Sequence, residues 1–388
     1  MNQHLGLALV LAAPLFAQKG PLRVADTAAL REALAAATPG TEIAVAPGDY
    51  DGFAARDVRG TAGAPVVVRA EDAARPPRLR GCLHLSDVAH LTLDGLSCEG
   101  SASNGINIDD GGTFGTPSHH VVLRRLAVRD IGGNGNHDGI KLSGVDDFAL
   151  VDSTVERWGR AGSAVDMVGC HRGTIEGCTF RDCGDDSTAN GVQMKGGTCE
   201  VAVRRCRFEH AGGRAVQLGG STGLEYFRPR PAGFEAKDLV VEGCTIVGSQ
   251  ATIAFVGCDG AVVRHNTIVL PRRWVLRILQ ETRADDFVPC RNGVFTDNLV
   301  YQRGLDDVTN IGPDTAPDTF TFARNWWFRA DAPSRSLPRL PVAESEPAGG
   351  VDPAFRDLAR GDLRLSPDSP ARRHGADAVE APRASTAK

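Results

Sequence analysis

Only five lysines stand among the 43 basic residues of this chain: Lys19, Lys141, Lys195, Lys237 and Lys388. Two of them fall inside short alternating segments, Gly139-Ile140-Lys141-Leu142 and Gly191-Val192-Gln193-Met194-Lys195. A lysine amine crowded by burial or by other cations can shed its proton and act as a base, whereas a guanidinium stays charged. Equivalent places in sister segments carry Asn107, Asp166, Gln193, Gln217, Ala254 and Arg277. Amides, a carboxylate and a guanidinium in one row suit a polyhydroxylated chain lying along them, and arginine binds carboxylates or sulfates through two parallel hydrogen bonds. Asn104, Asp138, Asn190 and Arg214 recur one short step earlier in the same segments and should border that row.

The row exists only if these segments stack. Each central residue is flanked by apolar ones: Ile140 and Leu142, Val165 and Met167, Val192 and Met194, Val216 and Leu218, Ile253 and Phe255, Leu276 and Ile278. Period-two alternation sends the flanks inward and the centre outward. A second set of strands carries the column Leu126, Ser153, Cys178, Cys206, Cys244, Asn266, Asn298 and Asn325. Its members recur at solenoid spacing, which predicts an all-β coiled solenoid with this column turned inside. Buried asparagines there must bond to the coil above or below.

Three insertions lengthen the same turn: Asp109 to His119, Gly219 to Lys237 and Gln280 to Cys290. They should rise together as a wall beside the outward row, bringing Tyr226, Phe227, Arg228, Arg230 and Phe287 to it. Tyr226 and Arg228 are the substrate-binding candidates of this wall, an aromatic ring for stacking on a sugar and a guanidinium for its carboxylate. Asp109, Asp110, Asp138, Asp185 and Asp186 offer oxygen ligands of the kind calcium takes, with Asp109 and Asp138 the metal candidates. Simpler readings also stand: Lys141 beside Asp166 as a surface ion pair, Gln193 over Gln217 as an amide ladder, His137 and His171 as ordinary turn residues.

Along the chain, residues 1–17 read as an export signal, with the apolar stretch Leu5 to Phe16 before Ala17. Residues 21–80 contain a helical pattern, N-capped by Asp26 and carrying Leu30 and Leu34, that should cover the open end of the solenoid. Residues 81–329 are the coils, 330–375 a linker and C-terminal closure, and 376–388 a disordered tail. A net charge of −5 supplies no basic field for nucleic acid, and no apolar run in the mature chain is long enough to span a membrane. Of the ten cysteines, Cys178, Cys206 and Cys244 share the inward column as small apolar fillers. Cys258 with Cys290, and Cys170 with Cys199, sit on neighbouring coils where disulfides could form. No Cys-x-x-Cys pair occurs, which argues against structural zinc.

These residues resemble the secreted right-handed parallel β-helix proteins of the pectate lyase superfamily. The resemblance rests on Ala29-Leu30-Arg31-Glu32-Ala33-Leu34 through Pro39-Gly40 and Ala46-Pro47-Gly48-Asp49-Tyr50, similar to the opening of chondroitinase B and alginate lyase relatives. Asp352-Pro353-Ala354-Phe355 and Gly361-Asp362-Leu363-Arg364-Leu365 are similar to the end of many such proteins. It implies a single-stranded right-handed parallel β-helix and a lyase that cleaves an acidic, uronate-containing polysaccharide by β-elimination. Such lyases place a lysine base and an arginine acid on neighbouring coils beside a calcium ion. Lys195 sits at the place of the base. The arginine position one coil later holds Gly219, with Arg214 the nearest guanidinium, and the calcium-ligand positions hold Thr188 and Asn190. In the resulting reading Arg214, Arg277 and Arg228, or calcium, neutralise the uronate. Lys195 or Lys141 removes the C5 proton, Asp166 completes the catalytic set, and Tyr226 protonates the leaving oxygen. Two alternatives remain: a glycoside hydrolase using Asp138 and Asp166, and a non-catalytic glycan-binding scaffold.

Overall fold

The computed structural model describes residues 20–230 and 233–379, so the export signal expected at 1–17 lies outside the described residues. The chain coils as a parallel β-helix. One coil runs through the long strand His171–Glu176, the three-residue strand Thr179–Arg181 and the strand Asn190–Lys195. The next repeats it as Thr198–Arg204, Arg207–Glu209 and Arg214–Gly219. All three pairs stack parallel and in register. Twelve parallel strands build the long-strand face, from Leu22–Val24 to Thr321–Ala323. The alternating residues read inward from the sequence are at most 1% exposed, from Ile140 and Leu142 to Leu276 and Ile278. That apolar cross-section holds the coils together.

The inward column has a backbone cause. Each member follows a residue in the left-handed region: Arg125 (φ 53°), Asp152 (49°), Gly177 (65°), Arg205 (50°), Gly243 (65°), His265 (54°), Asp297 (57°) and Arg324 (50°). One left-handed residue turns the chain sharply enough to aim the next side chain into the cylinder, where only compact groups stack. The asparagines satisfy themselves vertically. Asn298 Oδ1 accepts from Asn266 N at 2.9 Å and from Asn266 Nδ2 at 3.0 Å, and its Nδ2 donates to Val263 O and Asn325 Oδ1.

The ladder ends where the linker was expected. Asn325 N and Nδ2 donate to Glu344 Oε1, and Trp327 Nε1 donates to Glu344 Oε2 at 2.8 Å. Residues Ala348–Gly349 then pair with Trp326–Arg329. The 330–350 stretch is therefore a final partial coil that covers the apolar end. An antiparallel hairpin, Phe355–Asp357 with Asp362–Leu365, closes it further. Residues 376–379 are not tail. Ala376 N donates to Thr267 Oγ1 and Asp377 accepts from Leu365 N, so the chain stays docked through Val379.

At the other end the helix Thr27–Ala35 forms with Asp26 as its N-cap, accepting from Ala29 N at 2.8 Å, and buries Leu30, Ala33 and Leu34. All ten cysteines are free thiols. The two proposed disulfides are thus absent, and Cys170, Cys258 and Cys290 serve as buried apolar filler whose thiols burial pushes up, Cys170 to about 12 and Cys290 to about 11. Among the described residues no helix is long and apolar enough to cross a membrane.

Candidate functional site

Parallel registration turns the sequence row into a physical column. His84 pairs with Asn107, Asn107 with Lys141, Lys141 with Asp166, Asp166 with Gln193, Gln193 with Gln217, Gln217 with Ala254, Ala254 with Arg277, and Arg277 with Asn310. Ala254 packs with Val256 and Leu279 in an apolar patch separate from the main core, as an outward residue must. The column is nonetheless largely covered, because the three insertions fold over it.

Those insertions interlock through one buried carboxylate. Glu235, fully buried, accepts from Gly196 N and Thr222 N, each at 2.8 Å, from Thr222 Oγ1 at 2.8 Å, and from Thr282 Oγ1. Phe227 and Phe287 pack edge to face at 5.2 Å, and Arg230 stacks on Phe114 at 3.9 Å. Each insertion thus touches another, and together they form the expected wall.

Two cavities open along the column. The first, about 580 Å³, is lined by Asn107, Asp109, Phe114, Lys141, Lys195 and Tyr226, among others. The second, about 440 Å³, includes Asn190, Gln193, Lys195, Arg214, Trp274 and Arg277. Lys195 and Ser221 line both, so Lys195 stands where the clefts meet.

At that junction lies a compact charge cluster. Asp166, 2% exposed, takes Lys141 Nζ at 2.7 Å on Oδ2 and Lys195 Nζ at 3.0 Å on Oδ1. The Lys195 contact is an ion pair off the hydrogen-bond direction, which leaves Oδ1 without an aligned donor. Burial pushes the Asp166 carboxyl up, but the two lysines outweigh it and hold the group below the usual range. Asp138 lies on the far side of Lys141, 3.3 Å from Nζ, and accepts from Ser163 N at 2.7 Å. Burial and the charge on Asp166 raise its carboxyl to about 6. Burial opposes the charge of Lys141, yet Asp166 and Asp138 prevail and hold it above the ordinary lysine range. Lys141 therefore stays an ammonium. It corrects two expectations at once: it is no neutral base, and its partner carboxylate is buried rather than at the surface.

The second cavity is cationic and organised. Arg214 donates to Gln217 Oε1 at 2.6 Å and to Glu281 Oε1 at 2.7 Å. Arg277 donates to Asn310 Oδ1 at 2.9 Å and stacks on Trp274 at 4.6 Å, with Arg273 against the same ring at 4.1 Å. Burial and nearby Arg214 lower the Arg277 guanidinium from its ordinary value. Gln193 Oε1 accepts from Ser163 Oγ and Asn190 Nδ2, each at 3.1 Å, and Gln217 bonds to Arg214. The two amides are therefore partnered by Asn190 and Arg214 on their own strands and by Ser163 on the preceding coil, and not by each other, so they form no ladder.

Arg228 is a correction. Its guanidinium, 9% exposed, makes a two-pronged pair with Asp146 at 2.6 and 2.9 Å and donates to Gly169 O and Phe114 O. It anchors the 219–235 insertion and has no fork left for a substrate carboxylate. His171 is more than a turn residue. Its ring lies 3.2 Å from Asp146, and although burial pushes the imidazolium down, the bond to Asp146 prevails and raises it to about 9. Tyr226, 60% exposed, stands free at the mouth of the first cavity.

The calcium candidates do not come together. Asp109 pairs in register with Ser143, at the other end of the neighbouring strand from Asp138, roughly 16 Å away at ~3.3 Å per residue. Asp109 is already bonded to His84 at 2.6 Å, and Asp138 to Lys141. The residues present do not fit a shared calcium ion. Sequence reasoning missed Trp274, Glu281, Glu235, Phe114 and Asp146. Trp274 was within reach, since it extends the Asn190–Arg214–Ala251 border by one coil.

Residues 81–272 match the family described as "Right handed beta helix region". No curated protein matches the chain by sequence. Among solved structures, the chain is similar to an alginate lyase from Paenibacillus sp. str. FPU-7, with 20% identity over 86% of this chain and 99% of that one and a TM-score of 0.51. It is also similar to pectate lyase Pel9A, with 12% identity over 92% and 88% and a TM-score of 0.58. At these identities the likeness is one of fold: a right-handed parallel β-helix.

Proposed function

With a right-handed parallel β-helix as premise, we propose that this protein cleaves an acidic, uronate-containing polysaccharide by β-elimination, with Lys195 as the base. One observation carries the reading: Lys195 lines both clefts of one stripe, so a chain spanning the two passes over it. Arg214 and Arg277 in the second cleft take the uronate carboxylate, which makes the C5 proton more acidic. Lys195, in its amine form, removes that proton. The electrons form the C4–C5 double bond as the C4–O bond breaks, and the hydroxyl of Tyr226, in the lining of the first cleft, protonates the departing oxygen. Lys141 remains charged and, through Asp166, fixes where Lys195 points. No step runs through calcium. Such a substrate goes with secretion, which residues 1–17 are expected to direct.

Hydrolysis by Asp138 and Asp166 has one observation in its favour: their environments push the two carboxyls apart, one up to about 6 and the other below the usual range. Against it, Lys141 and Lys195 cover Asp166 and leave no face for a sugar. Incubation with alginate, pectate and chondroitin sulfate decides. Ultraviolet absorbance from an unsaturated sugar supports elimination. New reducing ends without it support hydrolysis, and binding with neither supports a glycan-binding scaffold.

A further inference from the structure

Far from the stripe, on the outer surface of the long-strand face, three histidines converge. His90 lies on the strand Ala89–Asp94, and His119 and His120 lie on the strand Ser118–Arg124 beside it. One ring nitrogen from each falls within 4.8 Å of the other two. His119 Nδ1 and His120 Nδ1 are 2.9 Å apart. The His90 ring lies 5.3 Å from His119, edge on, and 4.4 Å from His120. Among the described residues no other His, Cys, Asp or Glu group gathers its ligand atoms so closely.

We propose that His90, His119 and His120 bind a divalent transition-metal ion of the zinc class, which staples these two coils together. Three imidazoles are the donor set that borderline metals favour; nitrogens at about 2.0–2.1 Å from a tetrahedral ion stand about 3.3–3.4 Å apart, so the 2.9 Å pair opens slightly and separations up to 4.8 Å close. The local acid is not a fourth ligand, because Arg172 holds Asp147 at 2.8 and 3.1 Å. The fourth position is left to water, since His120 is exposed. The sequence argument against zinc considered paired cysteines, and this site contains none.

The placement gives the ion a structural role. His119 and His120 begin the strand that follows the 110–117 insertion, whose Phe114 lines the first cavity. Ser118 already ties that junction, donating to Asp109 O and accepting from Val88 N. A metal bridge one residue later would fix the root of this wall.

The test uses the tag-free protein, stripped of metal and dialysed. Titration with Zn²⁺ followed by calorimetry should show one ion per chain, and Co²⁺ should develop the visible bands of a tetrahedral nitrogen site. His90→Ala and His119→Ala should each weaken binding by more than the roughly 10- to 100-fold that an outer-shell partner supplies. The triple variant should abolish it. Zn²⁺ should raise the unfolding temperature of the parent but not of the triple variant, and circular dichroism checks that the variants fold. Backbone pairing at His119 N to Val88 O does not use the side chain, so folding should survive. Absence of stoichiometric binding, or binding that the triple variant retains, overturns the proposal.

Discussion

Lys195 Nζ lies 3.0 Å from Asp166 Oδ1, while Lys141 Nζ lies 2.7 Å from the other oxygen of the same carboxylate. One buried acid therefore sets the position of both lysines. Asp166→Asn keeps the shape but leaves both lysine side chains over a neutral amide. Breaking a buried ion pair costs about 3–5 kcal/mol, and the partial exposure of both lysines reduces this to roughly 2–3 kcal/mol. The expected result is a folded protein with a lower denaturation midpoint and no measurable elimination. Lys195→Ala should lose at least about 10²-fold in turnover if Lys195 is the base, and it should also lower the denaturation midpoint, because it removes one of the two counter-ions of buried Asp166. Turnover that survives Lys195→Ala would place the base elsewhere.

Asp138 should leave its mark on acid stability. Its carboxyl rises from the ordinary 3.8 to about 6 through burial and the charge on Asp166. The folded protein then holds a proton that the unfolded chain has released, so this group makes stability fall as pH climbs between those values and level off above them. Asp138→Asn should flatten that segment of the stability–pH curve. An unchanged slope would show that another group titrates there.

His171 acts with the same sign over a higher window. Its imidazolium is raised from 6.5 to about 9 against the pull of burial. The stabilisation is fully present below about 6.5 and is lost as pH rises through 9, a loss of at most about 3 kcal/mol. Asp146, which burial would push up, is held well below the carboxylate range by Arg228 and His171, so its own contribution persists until strongly acid pH. Because the pair anchors Arg228, the 219–235 insertion should loosen in alkali. The protection of the Arg228 amide, bonded to Gly196 O, relative to its intrinsic exchange rate should fall with pH in the parent and lose that dependence in His171→Gln.

The stripe was legible because strand alternation is local: once Ile140 and Leu142 face inward, Lys141 must face out. The turn column was equally legible, since its tight stacking admits few side chains. What covers the stripe was not. Arg228 meets Asp146 across 82 residues, and Glu235 collects donors from Gly196, Thr222 and Thr282; no periodicity records such contacts. The same insertions that promised a binding wall thus consume one of its two expected arginines. Asp109 and Asp138 look alike in sequence, yet registration puts them at opposite strand ends. The disulfides failed for a related reason, because spacing places cysteines on neighbouring coils without requiring their sulfurs to face each other.

Glu235→Gln tests the keystone of the wall. The carboxylate accepts four hydrogen bonds, and an amide nitrogen in place of one oxygen turns acceptance into a clash of donors. A buried group left unsatisfied costs about 1–3 kcal/mol. Exchange at the Gly196 and Thr222 amides should rise, and substrate affinity should fall, because Thr222 lines the first cavity. If both stay unchanged, the insertions are held by their aromatic contacts instead.

The asparagine ladder makes the last prediction, one about the scaffold alone. Asn298 accepts from Asn266 N and Nδ2 and donates to Val263 O and Asn325 Oδ1, all in a site with no solvent exposure. Asn298→Ala removes that partner and strands donors on Asn266 and an acceptor on Asn325, and it opens a small cavity. At about 1–3 kcal/mol for each unsatisfied buried group, partly relieved by relaxation, the loss should be about 2–4 kcal/mol. Cys244, two coils away in the same column, offers the comparison. Its thiol only reaches carbonyl oxygens at 3.6 and 3.7 Å, so Cys244→Ala should cost markedly less. Equal losses in a denaturant titration would mean that volume, rather than hydrogen bonding, governs the column.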